Sequence, residues 1–306
     1  MTLPADRFTG VLAAALTPMD ANLVPDEAVM ADHCKWLMKN GADGLAILGT
    51  TGEANSFSLK ERIKIIEGLI ERGIPAEKMM PGTGSCTITD AVVLTKLCVE
   101  AGTRGVLMLP PFYYKNPSDD GLFAFFSEVV QRVGSDDLKI YLYHFPQQSA
   151  TPFSLSLIER MIKEYPNTIA GMKDSSGVLE NMVAAAKNFP EFCVLSGADD
   201  LLLPLLKEGG GGCITACANI ASSLAQEVYS GFHAGEDVTK ANDMLVAVRR
   251  IASQLPPPPA LKSLIARNTG NASWLNLRPP LMKLDDEKAA SFAAAIDATG
   301  YKLPPV

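Results

Sequence analysis

Residues 139–173 read KIYLYHFPQQSATPFSLSLIERMIKEYPNTIAGMK, two short β-rich runs with an amphipathic stretch between them. The runs Lys139–Phe145 and Thr168–Lys173 are rich in β-branched, aromatic and other apolar residues, which favours strands. Between them, Leu155–Glu164 repeats its apolar residues at helical spacing. Strands that are nearly all apolar suit a parallel sheet covered on both faces. The stretch therefore predicts a strand, a helix and a second, parallel strand.

The same alternation of strand and helix patterns recurs along most of the chain. The predicted strands are Thr9–Leu16, Gly44–Leu48, Lys78–Pro81, Gly105–Leu109, Lys139–Phe145, Thr168–Lys173, Phe192–Ser196 and Gly212–Ala216. The helices that follow them are Glu27–Lys39, Leu59–Arg72, Thr89–Glu100, Gly121–Val133, Leu155–Glu164, Leu179–Asn188, Leu201–Glu208 and Ser222–Gly231. Eight such repeats predict an α/β protein with a (β/α)8 TIM barrel. A doubly wound open sheet is the alternative, but no GxGxxG motif follows the first strand.

After the eighth repeat only helices are predicted. These helices are Asp237–Gln254, Ala260–Ala266 and Glu287–Thr299. Four consecutive prolines at 256–259 break the chain between the first two of them. The prolines suit either a domain linker or a stiff corner in a packed helical tail, and we favour the corner. We expect a single domain over 1–306, with the barrel at 1–235 and a C-terminal helical extension at 236–306.

The overall composition argues against several classes of function. A net charge of −7 without any basic run disfavours nucleic acid and anionic membranes as partners. Six cysteines form no CxxC pair and three histidines show no metal-ligand spacing, so we expect reduced thiols and neither a metal nor another cofactor. No secretion signal is recognisable, and no apolar run reaches the roughly 18 residues of a membrane span. We therefore expect a cytoplasmic protein.

Polar residues follow the predicted strands at their carboxyl ends, where barrels of this kind carry their chemistry. They are Thr17-Pro18, Gly49–Glu53, Gly82–Gly84, Pro110-Pro111 with Tyr113-Tyr114, Tyr143, Lys173, Gly197 and Ile214. This set contains hydroxyl groups, one lysine and a single carboxylate, and it lacks paired carboxylates and a Cys-His pair. Such a pocket can move protons through hydroxyls and use an amine as its nucleophile.

Lys173 ends an otherwise apolar strand. Strand alternation places it on the same face as Gly171 and Ile169, so an inward Ile169 implies an inward amine. Burial there favours the neutral amine, which can attack a ketone and form an iminium, an electron sink for making or breaking the adjacent C–C bond. The alternative is a lysine that reaches out to solvent beside Asp174.

Hydroxyl groups at neighbouring strand ends support the catalytic interpretation. Tyr143 shares the parity of Tyr141 and can carry protons once it is hydrogen-bonded to other hydroxyls. The other interpretation of Tyr143 is an aromatic core residue whose hydroxyl reaches solvent. Thr50 and Thr51 lie between glycines in the motif GTTGE, where simple turn chemistry is the alternative. The motif is more specific than any of the single residues.

Several short motifs occur in the order found in a known family. They are Leu16–Asp20, Gly49–Glu53, Gly82–Gly84, Tyr113–Ser118, Tyr141–Tyr143, Gly171–Asp174 and Ser196-Gly197. Together they resemble the dihydrodipicolinate synthase / N-acetylneuraminate lyase superfamily of Schiff-base class I aldolases, from about Gly10 to the C-terminal helices. The resemblance implies a barrel enzyme that acts on pyruvate or another 2-oxo acid together with an aldehyde.

The resemblance also implies roles for individual residues. Lys173 would form the Schiff base, and Tyr143 would donate and accept the proton beside the iminium. Thr50 and Thr51 would bind the carboxylate of the 2-oxo acid, with Thr51 linking Tyr143 to Tyr114. In relatives the tyrosine matching Tyr114 comes from a neighbouring subunit, which implies a homo-oligomer, either a dimer or a tetramer.

Three further positions are assigned to substrate binding by the same resemblance. Ile214 would lie over the bound pyruvate through its backbone, and Gly197 would border the substrate. Gln148 stands where true dihydrodipicolinate synthases carry an arginine that grips the carboxylate of aspartate semialdehyde. A neutral amide cannot supply that charged bidentate fork. Gln147 and Gln148 are suited instead to the hydroxyls of a sugar-derived aldehyde.

These observations predict a class I aldolase or lyase for a 2-keto-3-deoxy sugar acid or a similar 2-oxo acid. One alternative is an authentic dihydrodipicolinate synthase that binds the carboxylate of aspartate semialdehyde in a different way. Another is a dehydratase of keto-deoxy sugar acids that uses the same lysine. A non-catalytic binding relative is a rival of another class. Retention of Lys173, Tyr143, Tyr114 and Thr51 together argues against it, because a scaffold would not need all four.

Overall fold

A computed structural model describes residues 3–305 as a mostly α/β protein with one curled parallel sheet. The outer bounds of the predicted domain, 1 and 306, lie outside the described residues. The strands are β1 Gly10–Ala13, β2 Gly44–Leu45, β3 Val106–Met108, β4 Ile140–His144, β5 Ile169–Asp174, β6 Cys193–Ser196 and β7 Gly212–Thr215. The sheet order is β2-β1-β7-β6-β5-β4-β3, and every pairing between named strands is parallel.

The segment predicted as a third strand, Lys78–Pro81, lies between the two edges of this sheet. Met79 of this segment forms an isolated parallel bridge with Leu45 on the β2 side, and Gly82, the residue after the segment, forms one with Leu107 on the β3 side. The proline within it has no N–H group to continue a ladder, so the segment makes single bridges where we had expected a strand. A 3-10 turn at Ala76–Lys78 precedes it. The described sheet therefore has seven named strands and not the predicted eight.

Helices cover the outer face of the sheet. Their bounds are α1 Glu27–Lys39, α2 Leu59–Glu71, α3 Ile88–Glu100, α4 Asp119–Val133, α5 Pro146–Ser149, α6 Leu155–Glu164, α7 Leu179–Asn188, α8 Leu202–Lys207, α9 Ala218–Ala234, α10 Thr239–Ala252, α11 Pro257–Thr269 and α12 Asp286–Ala298. Local signals explain several starts: Ser58 forms a capping box with Glu61 ahead of α2, and prolines open α11. No described helix is long and apolar enough to cross a bilayer.

The pairing of β4 with β5 contains an irregularity that decides which side chains face inward. Ile140 lies opposite Ile169, whereas Tyr141 lies opposite Gly171, so Ala170 is an extra residue that shifts the alternation. Ile169 packs among residues of the surrounding helices, and Ala170 packs in the cluster inside the sheet. Ile169 therefore faces outward, so the condition from which an inward lysine was argued is not met. The residues after the irregularity nevertheless keep the predicted orientation.

The helices after β7 share one apolar cluster with residues of β1 and β7. Leu245 of α10, Leu261 of α11 and Phe292 of α12 are buried there with Trp274 from the connecting segment. The proline run begins α11 directly, because proline suits the first turn of a helix. The second predicted helix therefore starts earlier and ends later than its apolar pattern indicated.

Candidate active site

Two side chains at the carboxyl ends of β4 and β5 meet inside the curled sheet. Tyr143 and Lys173 lie opposite each other in the parallel register. Lys173 Nζ donates to the Tyr143 hydroxyl at 3.3 Å and lies 4.4 Å from the centre of its ring. Both residues are buried, with 4% and 3% relative exposure for Lys173 and Tyr143. The arrangement holds an amine beside a phenol and away from bulk water.

Gly171 provides space for the Tyr141 ring at this point of β5. A Cβ there would lie 2.2 Å from the carbonyl oxygen of Cys193 and 2.9 Å from the Tyr141 ring. The Tyr141 hydroxyl accepts a hydrogen bond from the backbone N–H of Phe8 at 2.5 Å, and burial raises the pKa of Tyr141. The glycine therefore admits a large aromatic residue to the barrel core beneath the lysine.

The GTTGE loop follows β2 and reaches the same pair of side chains. Thr50 Oγ1 accepts a hydrogen bond from the Tyr143 hydroxyl at 3.4 Å, and the link from Tyr143 through Thr51 to Tyr114 stays a prediction. Thr50 is exposed, whereas Thr51 is 8% exposed. A Cβ on Gly52 would lie 2.8 Å from the carbonyl oxygen of Ala15, which explains the glycine after the two threonines.

Tyr114 lies apart from the other predicted site residues within one chain. Tyr113 and Tyr114 form an edge-to-face pair on the surface, with 72% and 79% relative exposure. Among the described residues, the Tyr114 hydroxyl makes no hydrogen bond to Thr51 or Tyr143. The loop that carries it projects outward after β3 and leaves two large aromatic rings in solvent.

Gly197 and Ile214 flank β5 on the side of β6 and β7. The Gly197 N–H donates to the carbonyl of Asp174 at 2.7 Å, and a Cβ there would lie 2.1 Å from Ser175 Oγ. Only glycine fits that close approach. Ile214 is fully buried in the cluster inside the sheet.

The short helix α5 carries the two glutamines considered for substrate recognition. Gln148 and Gln147 are both exposed on it, close in sequence to Tyr143. Gln147 Nε2 donates to the carbonyl of Ser176 at 2.7 Å, so its amide is already engaged, and Gln148 keeps the freer side chain. An exposed amide at this position can offer both donors and acceptors to a ligand.

His144 points away from the pair, as its strand parity predicts. It is buried against Phe153, whose N–H donates to His144 Nδ1 at 3.2 Å. Burial lowers the pKa of His144, and the nearby Asp174 carboxylate opposes that effect. Asp174 is also fully buried and leaves one oxygen without a partner among the described residues. No cluster of three His, Cys, Asp or Glu side chains suited to a metal ion occurs within residues 3–305.

Our reading of the sequence missed a buried ion pair behind the GTTGE loop. Glu53 accepts from Lys262 of α11 at 2.5 Å, and both side chains are completely buried. Burial raises the pKa of Glu53 and lowers that of Lys262, while the attraction between them opposes both shifts. The residues are 209 positions apart, so no local pattern relates them.

Comparison with known proteins identifies relatives of this chain. The sequence model of the Dihydrodipicolinate synthetase family matches residues 7–299. An uncharacterized DapA-like lyase of Chloroflexus aurantiacus is 32% identical over 290 residues, covering 94% of this chain and 96% of the relative. A 4-hydroxy-tetrahydrodipicolinate synthase of Agrobacterium fabrum is 32% identical over 301 residues, covering 96% of this chain and 99% of the relative.

Solved structures of similar fold come from the same family of proteins. The crystal structure of dihydrodipicolinate synthase from Agrobacterium tumefaciens has a TM-score of 0.88 and 30% identity, covering 96% of this chain and 100% of the other. A prophage protein of the dihydrodipicolinic acid synthase family from E. coli, solved in complex with pyruvate, has a TM-score of 0.86 and 26% identity, covering 96% and 99%.

Proposed function

The chain belongs to the dihydrodipicolinate synthetase family of class I Schiff-base aldolases and lyases, and we propose that its reaction begins with an imine between Lys173 and pyruvate or a related 2-oxo acid. The neutral amine attacks the C2 carbonyl carbon, and Tyr143 gives its proton to the departing hydroxyl, so that loss of water leaves a protonated imine and a Tyr143 phenolate that can accept the next proton. The observation that carries the proposal is the buried hydrogen bond of 3.3 Å between Lys173 and Tyr143. It puts a nucleophile and a proton carrier within reach of the same carbon.

In the cleavage direction, the iminium accepts the electron pair of the C3–C4 bond, and the proton of the C4 hydroxyl passes to Tyr143 as the aldehyde leaves. In the condensation direction, loss of a C3 proton gives an enamine that attacks the aldehyde carbon. Thr50 is 3.4 Å from the Tyr143 hydroxyl and orients it. We assign the carboxylate of the 2-oxo acid to Thr51 and the rest of the GTTGE loop, and its carbon skeleton to the wall at Gly197 and Ile214.

The exposed Tyr114 suits a homo-oligomer in which each subunit completes a neighbour's site. Its ring is 79% exposed, and a second copy that inserted it beside Thr50 would extend the hydroxyl chain from Tyr143. We propose a dimer or tetramer on this ground.

We also propose that the segment 79–83 serves as the eighth strand and closes a (β/α)8 barrel. In this proposal residues 236–306 are the helical extension of the barrel, and the whole chain is one cytoplasmic domain.

For the second substrate we favour the aldehyde derived from a 2-keto-3-deoxy sugar acid. The observation that carries this choice is Gln148, an exposed neutral amide that is close in sequence to Tyr143 and suits hydroxyl groups better than a carboxylate. A second candidate is synthesis of 4-hydroxy-tetrahydrodipicolinate from pyruvate and aspartate semialdehyde, favoured by relatives of that name at 32% identity. Dehydration of a keto-deoxy sugar acid through the same imine is a third.

Reductive trapping tests the imine directly. The protein is incubated with pyruvate and borohydride, digested and mapped by mass spectrometry, with a sample lacking pyruvate as the control. We expect one stable adduct on the peptide that carries Lys173. Adduct on a different lysine, or no adduct, would refute the proposal.

A substrate panel separates the three candidate reactions. Cleavage of keto-deoxy sugar acids, their dehydration, and condensation of pyruvate with aspartate semialdehyde are compared by kcat/KM. We expect cleavage of a keto-deoxy sugar acid to exceed the condensation reaction at least tenfold, because Gln148 offers no charge to a second carboxylate. A preference for aspartate semialdehyde would favour the synthase instead.

A further inference from the structure

The loop that carries Thr50 and Thr51 is bounded by two residues in a backbone conformation that side chains disfavour. Leu48 has a φ of 54° and Glu53 a φ of 58°, both in the left-handed region. A non-glycine residue there costs roughly 1–2 kcal/mol and persists where the surrounding contacts hold it. The loop between them therefore needs an anchor.

Glu53 supplies one half of that anchor. Its carboxylate accepts from Lys262 Nζ at 2.5 Å, and both side chains are completely buried. Lys262 Nζ also donates to the carbonyl of Asn276 at 3.0 Å. The ammonium group thus joins the end of the GTTGE loop to α11 and to the segment that follows it.

Other contacts of the same segment support neighbouring parts of the loop. Arg278 donates to the carbonyls of Ser56 and Leu23 at 2.7 and 3.0 Å and forms an ion pair with Glu61 at 2.5 Å. Asn276 Nδ2 donates to the carbonyl of Met19 at 3.0 Å. The C-terminal helical extension therefore holds both the loop after β1 and the loop after β2.

A short path leads from the ion pair to the reacting groups. The Glu53 N–H donates to the carbonyl of Thr50 at 3.1 Å, and Thr50 Oγ1 lies 3.4 Å from the Tyr143 hydroxyl. We propose that Glu53 and Lys262 are positioning residues that hold Thr51 in place to receive the carboxylate of the 2-oxo acid and Thr50 in place to orient Tyr143. This inference rests on the proposed function.

Stability alone does not account for a charged pair at this place. Replacing a buried ion pair by apolar residues of similar size is often neutral or stabilising, because removing two charges from water is costly. Glu53 also leaves one carboxylate oxygen without a hydrogen-bond partner among the described residues. The ion pair instead fixes the position of Glu53 at the end of the GTTGE loop, because a charge-assisted hydrogen bond constrains geometry more closely than an apolar contact does.

The test measures pyruvate binding through the imine in purified full-length protein. The variants are Lys262→Met and the double variant Glu53→Gln/Lys262→Met, which leaves no buried charge unpaired. The control is Arg267→Met on the same helix, whose partner Asp297 is solvent-exposed. Borohydride trapping is followed over a range of pyruvate concentrations, and thermal melting is recorded for each protein.

We expect the concentration of pyruvate for half-maximal trapping to rise roughly tenfold or more in both Lys262 variants, with near-normal trapping at saturation, since a loop displaced by even 1 Å loses its grip on the substrate. The double variant should regain the melting temperature that Lys262→Met loses, without regaining affinity for pyruvate. Arg267→Met should match the unmodified protein in trapping.

Several outcomes would overturn the inference. One is a double variant that is half-saturated at the same pyruvate concentration as the unmodified protein. Another is a double variant that does not fold, since the pair would then serve the fold and not the loop. If the unmodified protein traps no pyruvate, the proposed function fails and this inference fails with it. Normal trapping in the unmodified protein together with normal affinity in the variants removes the positioning role alone.

Discussion

Two lysines are buried among residues 3–305, and they have different partners. Lys262 is completely buried and donates to the carboxylate of Glu53 at 2.5 Å. Lys173 is 4% exposed, and its hydrogen-bond partner is the Tyr143 hydroxyl at 3.3 Å. No carboxylate of the described residues forms an ion pair with Lys173, since the neighbouring Asp174 belongs to the outer face of β5.

The difference concerns what each amine is free to do. A carboxylate partner favours the ammonium form and occupies its donors, so Lys262 is suited to hold structure. A phenol partner leaves the nitrogen lone pair available once the proton has moved, so Lys173 is suited to attack a carbonyl. Burial alone therefore does not identify a reactive lysine, and the chemistry of its partner does.

The largest expected effect comes from removing the reactive amine. Lys173→Met should abolish adduct formation and lower the exchange of pyruvate C3 protons with D2O by about 10⁴-fold or more, because no imine can acidify them. The exchange is followed by proton NMR. Lys262→Met is the matched control and should still form adduct at high pyruvate concentration. Persistent exchange in Lys173→Met would break the contrast between the two lysines.

The second-largest effect on the exchange rate should come from removing the phenol of Tyr143. Tyr143→Phe keeps the ring beside the amine but loses the proton carrier, and positioned acid–base groups contribute about 10²–10⁴-fold. We expect the exchange rate to fall within that range while the borohydride adduct still forms at saturating pyruvate. The mass of the trapped protein and the NMR exchange rate separate these two steps. An unchanged exchange rate would assign the proton to another group.

Breaking the ion pair of Glu53 with Lys262 should lower stability in addition to weakening the binding of pyruvate. Lys262→Met leaves a buried carboxylate without its partner, which costs about 3–5 kcal/mol of unfolding free energy. Adding Glu53→Gln should recover most of that loss. Urea denaturation followed by circular dichroism measures both. A Lys262→Met protein as stable as the unmodified one would mean that Glu53 finds another partner or becomes neutral at little cost.

The smallest effect distinguishes the two threonines. Thr50→Val removes the hydrogen bond to Tyr143, worth about 0.5–1.5 kcal/mol, so exchange at saturating pyruvate should fall roughly 2- to 13-fold. Thr51→Val should instead raise the pyruvate concentration needed for half-maximal exchange. Both are measured by the same NMR titration. Equal effects of the two substitutions on the saturated rate would contradict the separate roles.

Much of the helical layer could be predicted from local patterns, and the reasons are visible in particular residues. Ser58 and Glu61 form the capping box that begins α2, and the apolar spacing of Leu155–Glu164 matches α6. The polar residues at the strand ends also indicated that Lys173 and Tyr143 lie close together, because parallel strands bring their carboxyl ends to one edge of the sheet. These features depend on short stretches of chain.

Other features depend on contacts that short stretches do not encode. The extra residue Ala170 reverses the parity of Ile169, and only the pairing of β5 with β4 reveals it. Thr50 and Thr51 are chemically alike and adjacent, so composition does not tell which one meets Tyr143, and only the folded loop shows that it is Thr50. Bridges of 79–83 to two different edges likewise arise only when the sheet curls.

The late position of Lys262 has a consequence for the order in which the protein matures. During synthesis, Lys173 and Tyr143 leave the ribosome many residues before Lys262 does, so Glu53 must wait for its partner. A polypeptide that ends before Lys262 lacks the partner of Glu53 and with it the anchor of the threonine loop. We expect such fragments to capture cellular keto acids poorly, which would leave full reactivity to chains that have been completed.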